Sequence, residues 1–202
     1  MQYPTFFRKV ALIAALASAS LSAQAYTFEC VTGAAGGGAN ASGCTTLGES
    51  WLQWSLAGNL LTISNIAPAG NGSFISGISF DTQAGQSVSL AGVQMPGVSY
   101  TTGGGANLPG NLGWTVDYKF KPNAPAASKG VNAGESLAFN LNGFGLSDIT
   151  AGNVKFGLHI QGLPDGRSEK LVATVPEVET YALAGAGLAV VGLLSLRRRQ
   201  IR

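Results

Sequence analysis

Charge is scarce in this chain. Only 11% of its residues are charged, and six of the twelve bases (Arg8, Lys9, Arg197, Arg198, Arg199 and Arg202) sit in the two terminal segments. Between Tyr26 and Thr174 eight acids face six bases, a net of −2. The pI near 8.6 therefore reports the ends, not the middle. Without a basic patch the central region has no electrostatic footprint for nucleic acid.

Histidine and cysteine are scarcer still, with one and two residues. A nucleophile–base–orienting-group arrangement needs a general base, and the one imidazole is His159. It falls between Leu158 and Ile160 on the polar side of an alternating segment, which reads as a solvated surface position. No Gly-x-Ser-x-Gly surrounds any serine. Asp81, Asp117, Glu135 and Asp148 are the carboxylates a secreted hydrolase could use, but nothing in the sequence brings two of them together. Gly103-Gly104-Gly105 lacks the lysine and helix of a phosphate loop. Asn71, Asp81, Asp148 and Asp165 are isolated, so no Asp-x-Asp-x-Asp-Gly calcium loop exists. Cys30 and Cys44 lack partners at metal-ligand spacing. No cofactor, metal or catalytic residue is expected.

Long hydrophobic runs are confined to the ends. At the N-terminus Arg8 and Lys9 precede an apolar stretch, Val10 to Leu21, and Ala23-Gln24-Ala25 fits the small-x-small rule for cleavage. Residues 1–25 thus read as a secretory signal peptide, with the mature chain beginning at Tyr26. In an exported chain Cys30 and Cys44 default to a disulfide. A loop of about 15 residues stapled this way is worth about 3 kcal/mol in the chain-entropy account.

The middle, residues 26–174, is rich in glycine and shows period-two hydrophobicity. Trp51–Leu56, Leu60–Ile66, Phe74–Phe80, Val88–Val93, Trp114–Phe120, Leu137–Leu141 and Phe156–Ile160 read as strands. Phe74, Ile78 and Phe80 are expected on one face of theirs. Residues 121–127 read as an exposed loop. Residues 165–169 read as a polar stretch, followed at Lys170 to Thr174 by a short strand or a linker. The breaks, such as Ala57-Gly58-Asn59 and residues 68–72, carry turn formers. These features predict an all-β, antiparallel β-sandwich or jelly-roll-like domain. Trp114 and Tyr118 are the candidates for glycan contact, although alternating large residues in a strand more often face a core.

The tail, residues 175–202, has three parts in order. Val175-Pro176-Glu177-Val178-Glu179-Thr180 is polar. Residues 181–196 are apolar. Arg197, Arg198, Arg199 and Arg202 form a basic cluster that resists translocation and acts as a membrane stop. A 16-residue helix spans roughly 24 Å at 1.5 Å per residue, short of a bilayer core of about 30 Å, a mismatch that thinning or flanking residues can absorb.

This tail resembles the PEP-CTERM sorting signal of Gram-negative bacteria, which continues, as here, into Tyr181-Ala182-Leu183. Val178 stands where the second proline is usual. The resemblance is confined to the tail. It implies an exosortase-type membrane enzyme as processing partner, a transient inner-membrane anchor, a mature form at the cell envelope, cell surface or outside, and an association with exopolysaccharide or biofilm matrix. The chain is thus expected to be a non-enzymatic exported protein. A lectin-like carbohydrate-binding sandwich and, third, a secreted hydrolase stand as alternatives.

Overall fold

The computed structural model describes residues 25–31, 44–103 and 114–175. Ala23, the sorting motif from Pro176 on, the 181–196 segment and the basic cluster lie outside them. Among the described residues no helix is long and apolar enough to cross a membrane.

The described chain is all-β apart from a few short helices. Eleven strands follow in order: β1 (Tyr26–Cys30), β2 (Leu52–Ala57), β3 (Leu60–Asn65), β4 (Phe74–Asp81), β5 (Ser87–Leu90), β6 (Tyr100–Thr102), β7 (Tyr118–Pro122), β8 (Val131–Asn132), β9 (Ser136–Asn142), β10 (Lys155–Leu163) and β11 (Arg167–Ala173). Helices α1 (Thr46–Trp51), α2 (Ala126–Lys129) and α3 (Leu146–Thr150) are each a turn or so long, and Pro164–Gly166 forms a 3₁₀ turn. Neighbouring strands run in the order β5-β9-β3-β2-β1-β11-β10-β4-β7-β6, with β8 beside β4. All the pairings are antiparallel.

β1 joins the two halves of this path. Tyr26 and Thr27 pair with Trp54 and Gln53 of β2, whereas Phe28 to Cys30 pair with Ala173 to Leu171 of β11. The halves face each other across one core. Trp54 of β2 stacks on Tyr26 at 4.3 Å and meets Phe156 of β10 edge-on at 5.1 Å. Phe139 of β9 lies 5.3 Å from Phe80 of β4 and 4.9 Å from Phe120 of β7. Such aromatic pairs add about 0.5–1.5 kcal/mol each beyond the burial of their area.

The ends of the path nearly meet. The Tyr118 hydroxyl of β7 donates to the Gln86 carbonyl, just before β5, at 3.1 Å. At the other side the turn from β8 to β9 is tied to β3, with Gly134 N–H donating to Asn65 O at 2.7 Å and Asn65 N–H to Glu135 O at 3.0 Å. Asn65, fully buried, fills this seam. Its Nδ2 donates to the carbonyls of Ser73 and Val131, and its Oδ1 accepts from Ala67 N–H at 3.1 Å. A buried amide is tolerated only when its donors and acceptors are satisfied in this way.

Several sequence expectations need correction. Trp51 closes α1 instead of opening a strand; its carbonyl accepts from Ile66 N–H at 2.7 Å. Phe74 does not share the core face of Ile78 and Phe80. The register of β4 against β10 jumps between Gly77 and Ile75, leaving Ser76 as the extra residue. A bulge of this kind inverts the alternation, so Ile75 joins the core with Ile78 and Phe80. The strand expected from Trp114 begins only at Tyr118, and it runs on through Lys121 and Pro122, which were expected in a loop. The strand expected over Val88–Val93 ends at Leu90, and Val93 is fully exposed. The polar stretch after residue 165 enters β11 already at Arg167.

Candidate functional sites

The two ends of the domain emerge side by side. β1 begins at Tyr26 and β11 ends at Ala173. Beyond the ladder, Thr174 N–H donates to Thr27 O at 3.1 Å, and the Thr174 hydroxyl reaches the same carbonyl at 3.2 Å. Val175, the first residue of the sorting motif, still packs against the core. A chain leaving after Val175 therefore starts next to the first residue of the expected mature N-terminus.

The disulfide is formed: Cys30 and Cys44 are bonded, with Cα atoms 5.9 Å apart. The segment after Cys44 is pinned to β11 and β1 by two carboxylates. Glu169, only 1% exposed, accepts through Oε1 from Thr45 N–H at 2.6 Å and from the Thr45 hydroxyl. Glu49 accepts from Cys30 N–H at 2.8 Å. A Cβ at position 48 would crowd Glu169 Oε2, so the carboxylate would have to shift. That oxygen has no hydrogen-bond partner among the described residues. The sequence offered no sign that Glu169 is buried. It follows Ser168 in a run of polar residues, and its partner Thr45 is 124 positions away.

His159 is not the solvated residue expected. It is partly buried on the outer side of β10, facing Lys170 of β11 and Gly77 of β4 across the ladders. Its Nδ1 lies 3.1 Å from Ser76 Oγ, the bulge residue, which is also 3.2 Å from the His159 carbonyl. Burial, and then the charge of Lys170, push the imidazole down to about 4. Burial likewise lowers Lys170. A serine hydroxyl next to a neutral imidazole is half of a nucleophilic arrangement, but no carboxylate of the described residues hydrogen-bonds the ring.

The four carboxylates considered for hydrolysis are held apart, in separate local contacts. Asp117 Oδ2 accepts from Thr82 N–H at 2.8 Å, Glu135 Oε2 from Asn132 N–H at 2.8 Å and Asp148 Oδ2 from Gly145 N–H at 2.9 Å. Asp81 ends β4 opposite Lys155. Among the described residues no group of three or more histidine, cysteine or acidic side chains could hold a metal ion. Asn71 Oδ1 accepts from Ser73 N–H at 2.8 Å within its own turn.

The two candidate glycan residues are both partly buried. Tyr118 is half-buried against the core, with its hydroxyl committed to Gln86. Trp114 lies ahead of β7 and is partly buried. Comparison with protein-family models, with curated proteins and with solved structures returns no match.

Proposed function

We propose that this chain is a non-enzymatic exported protein of the cell envelope, sorted through its tail. Residues 1–25 direct export and are removed. The domain folds outside the inner membrane, read here as a β-sandwich whose two sheets share β1. The 181–196 helix anchors it, Arg197 to Arg202 stay cytoplasmic, and an exosortase-type enzyme cuts near Pro176 to Thr180. The freed domain then resides at the surface, in association with exopolysaccharide.

The observation that carries this reading is the position of the two ends. Both proposed processing points flank the outermost residues of one pair of hydrogen-bonded strands, at Tyr26 and Ala173. Tyr26 is 5% exposed, so cleavage beside it has to precede folding, as co-translocational removal of a leader would. The Cys30–Cys44 bond supports an oxidising destination. The non-catalytic reading is supported by Asp117, Glu135 and Asp148, each of which accepts a backbone N–H: Glu135 and Asp148 within their own turns, Asp117 from Thr82 across the fold.

The test compares wild type, Pro176→Ala with Glu177→Ala, and deletion of residues 197–202 in a host with exosortase, by intact mass and fractionation. Wild type should be released with a C-terminus within 176–180, and both variants should stay unprocessed. The same C-terminus appearing at the same rate in all three would refute sorting by this tail.

A further inference from the structure

Among the described residues four large apolar side chains are exposed: Leu60, Ile66, Val93 and Met95. Three of them gather at one end of β3 and β9. Ile66 follows β3 between the buried Asn65 and Ala67, so it projects outward, 50% exposed. Two residues earlier Ser64 opposes Ser136 of β9. The Met95 sulfur accepts from the Ser136 N–H at 3.3 Å and from its hydroxyl at 3.2 Å, yet Met95 stays 41% exposed. Val93 is fully exposed. Leu60 lies apart, at the opposite end of β3.

These side chains are held on a fixed backbone. The Gln94 amide grips Tyr100 twice: its Oε1 accepts from the Tyr100 N–H at 2.6 Å, and its Nε2 donates to the Tyr100 carbonyl at 3.1 Å. Ala91 N–H donates to Ala138 O at 2.9 Å, and Val98 N–H to the Met95 carbonyl at 3.0 Å. With Gln94 turned towards β6, Val93 and Met95 on either side of it face solvent. Apolar groups pinned in this way lose little freedom on binding. Clusters of exposed apolar side chains mark interaction sites, and methionine is enriched at the centre of protein interfaces.

We infer that the Ile66–Val93–Met95 patch is where a second copy of this chain docks. A two-fold axis brings the same patch of two copies together, so the patch must complement itself. Apolar side chains do so by nature. The Ser64 and Ser136 hydroxyls between them each donate and accept, and residues 91–98 hold no charge to repel their own image. Four strand widths of about 4.8 Å and six residues of about 3.3 Å give the patch a footprint of roughly 400 Å². That is below the ~800 Å² per partner of a standard interface, so pairing should be weak and reversible, with a dissociation constant of about 1–100 µM. The inference does not depend on the sorting reading.

The experiment is sedimentation equilibrium of the full chain in mild detergent, with oxidation by hydrogen peroxide as a local reporter. Met95 is the only methionine besides Met1, so sulfoxide read on its peptide reports on the patch alone. Wild type should show a monomer–dimer equilibrium, and Met95 should oxidise at least fivefold more slowly at about 1 mM protein than at about 1 µM. Val93→Glu, at a position with no packing to lose, and Ile66→Glu should each raise the dissociation constant at least tenfold and abolish that protection. Leu60→Glu, as drastic a change but outside the patch, should leave both unchanged. Three results overturn the assignment. The first is a monomer at every concentration, which would leave the patch to a different protein. The second is a dimer indifferent to Val93→Glu and Ile66→Glu, with Met95 oxidised at one rate throughout, as association through the tail would give. The third is Leu60→Glu acting as strongly as the other two. The assay reads neither export nor cleavage, so its failure leaves the sorting test intact.

Discussion

Thr27 and Thr174 are 147 positions apart, yet the backbone N–H of Thr174 donates to the carbonyl of Thr27 at 3.1 Å and the two hydroxyl oxygens lie 3.3 Å apart. The first and last strands are thus joined to their limits. The domain closes on itself before the tail begins, and cutting the tail after Val175 removes none of the described strands.

Opening the disulfide should cost stability without changing the fold. The bond closes a loop with a sequence separation of 14, for which the chain-entropy account gives about 3 kcal/mol. Cys30→Ser with Cys44→Ser should lose about that much in urea unfolding, with far-UV dichroism retained. A loss under about 0.5 kcal/mol would mean that Glu169 and Glu49 hold the segment alone.

Gly48→Ala should destabilise by about 1–3 kcal/mol, the usual cost of overpacking, because its Cβ would meet Glu169 Oε2. Glu169→Ala removes both the obstacle and the acceptor for Thr45. The double variant should therefore lose clearly less than the sum of the two single losses, and additivity would show that the two positions do not touch.

Asn65→Ala should be among the most harmful single changes. It strands the buried N–H of Ala67 and removes the donor to Ser73 and Val131. Each buried group left unpaired costs about 1–3 kcal/mol. Urea melts at neutral pH would read the loss, and a change below about 0.5 kcal/mol would mean that water replaces the amide in the seam.

His159 should make the protein acid-sensitive. Its folded pKa is lowered to about 4 from an ordinary 6.5. Above pH 6.5 the ring is neutral in both states and its contribution is intact. As pH falls from about 6.5 towards 4, the unfolded chain takes up a proton that the folded chain refuses, so stability declines. The groups facing the ring are Ser76 and Lys170. His159→Gln should flatten the decline between pH 7 and 5 in urea melts. Equal slopes in the two proteins would show that the imidazole titrates normally.

Where alternation ran unbroken, the sequence was sufficient. Leu137, Phe139 and Leu141 face inward in β9, as do Phe156, Leu158 and Ile160 in β10, because a regular pleat puts every second residue on the same side. The turn at Gly58, with φ 62°, was legible because the left-handed region favours glycine. The pairing of Cys30 with Cys44 was likewise settled by there being only two cysteines. Other features depended on distant residues. The bulge at Ser76 comes from the register of β4 against β10, which no local pattern encodes. β11 looked like a polar stretch because Glu169 is charged, and it is buried only because Thr45 comes back to bind it. The bond from the Tyr118 hydroxyl to the Gln86 carbonyl depends on the near-closure of the path, which no local pattern shows. The lack of charged residues in β2, β3, β5 and β9 is plain in the sequence, but these strands are scattered along the chain. Only their pairing gathers them into one surface, because hydrogen-bonded registers, not sequence order, decide which side chains are neighbours.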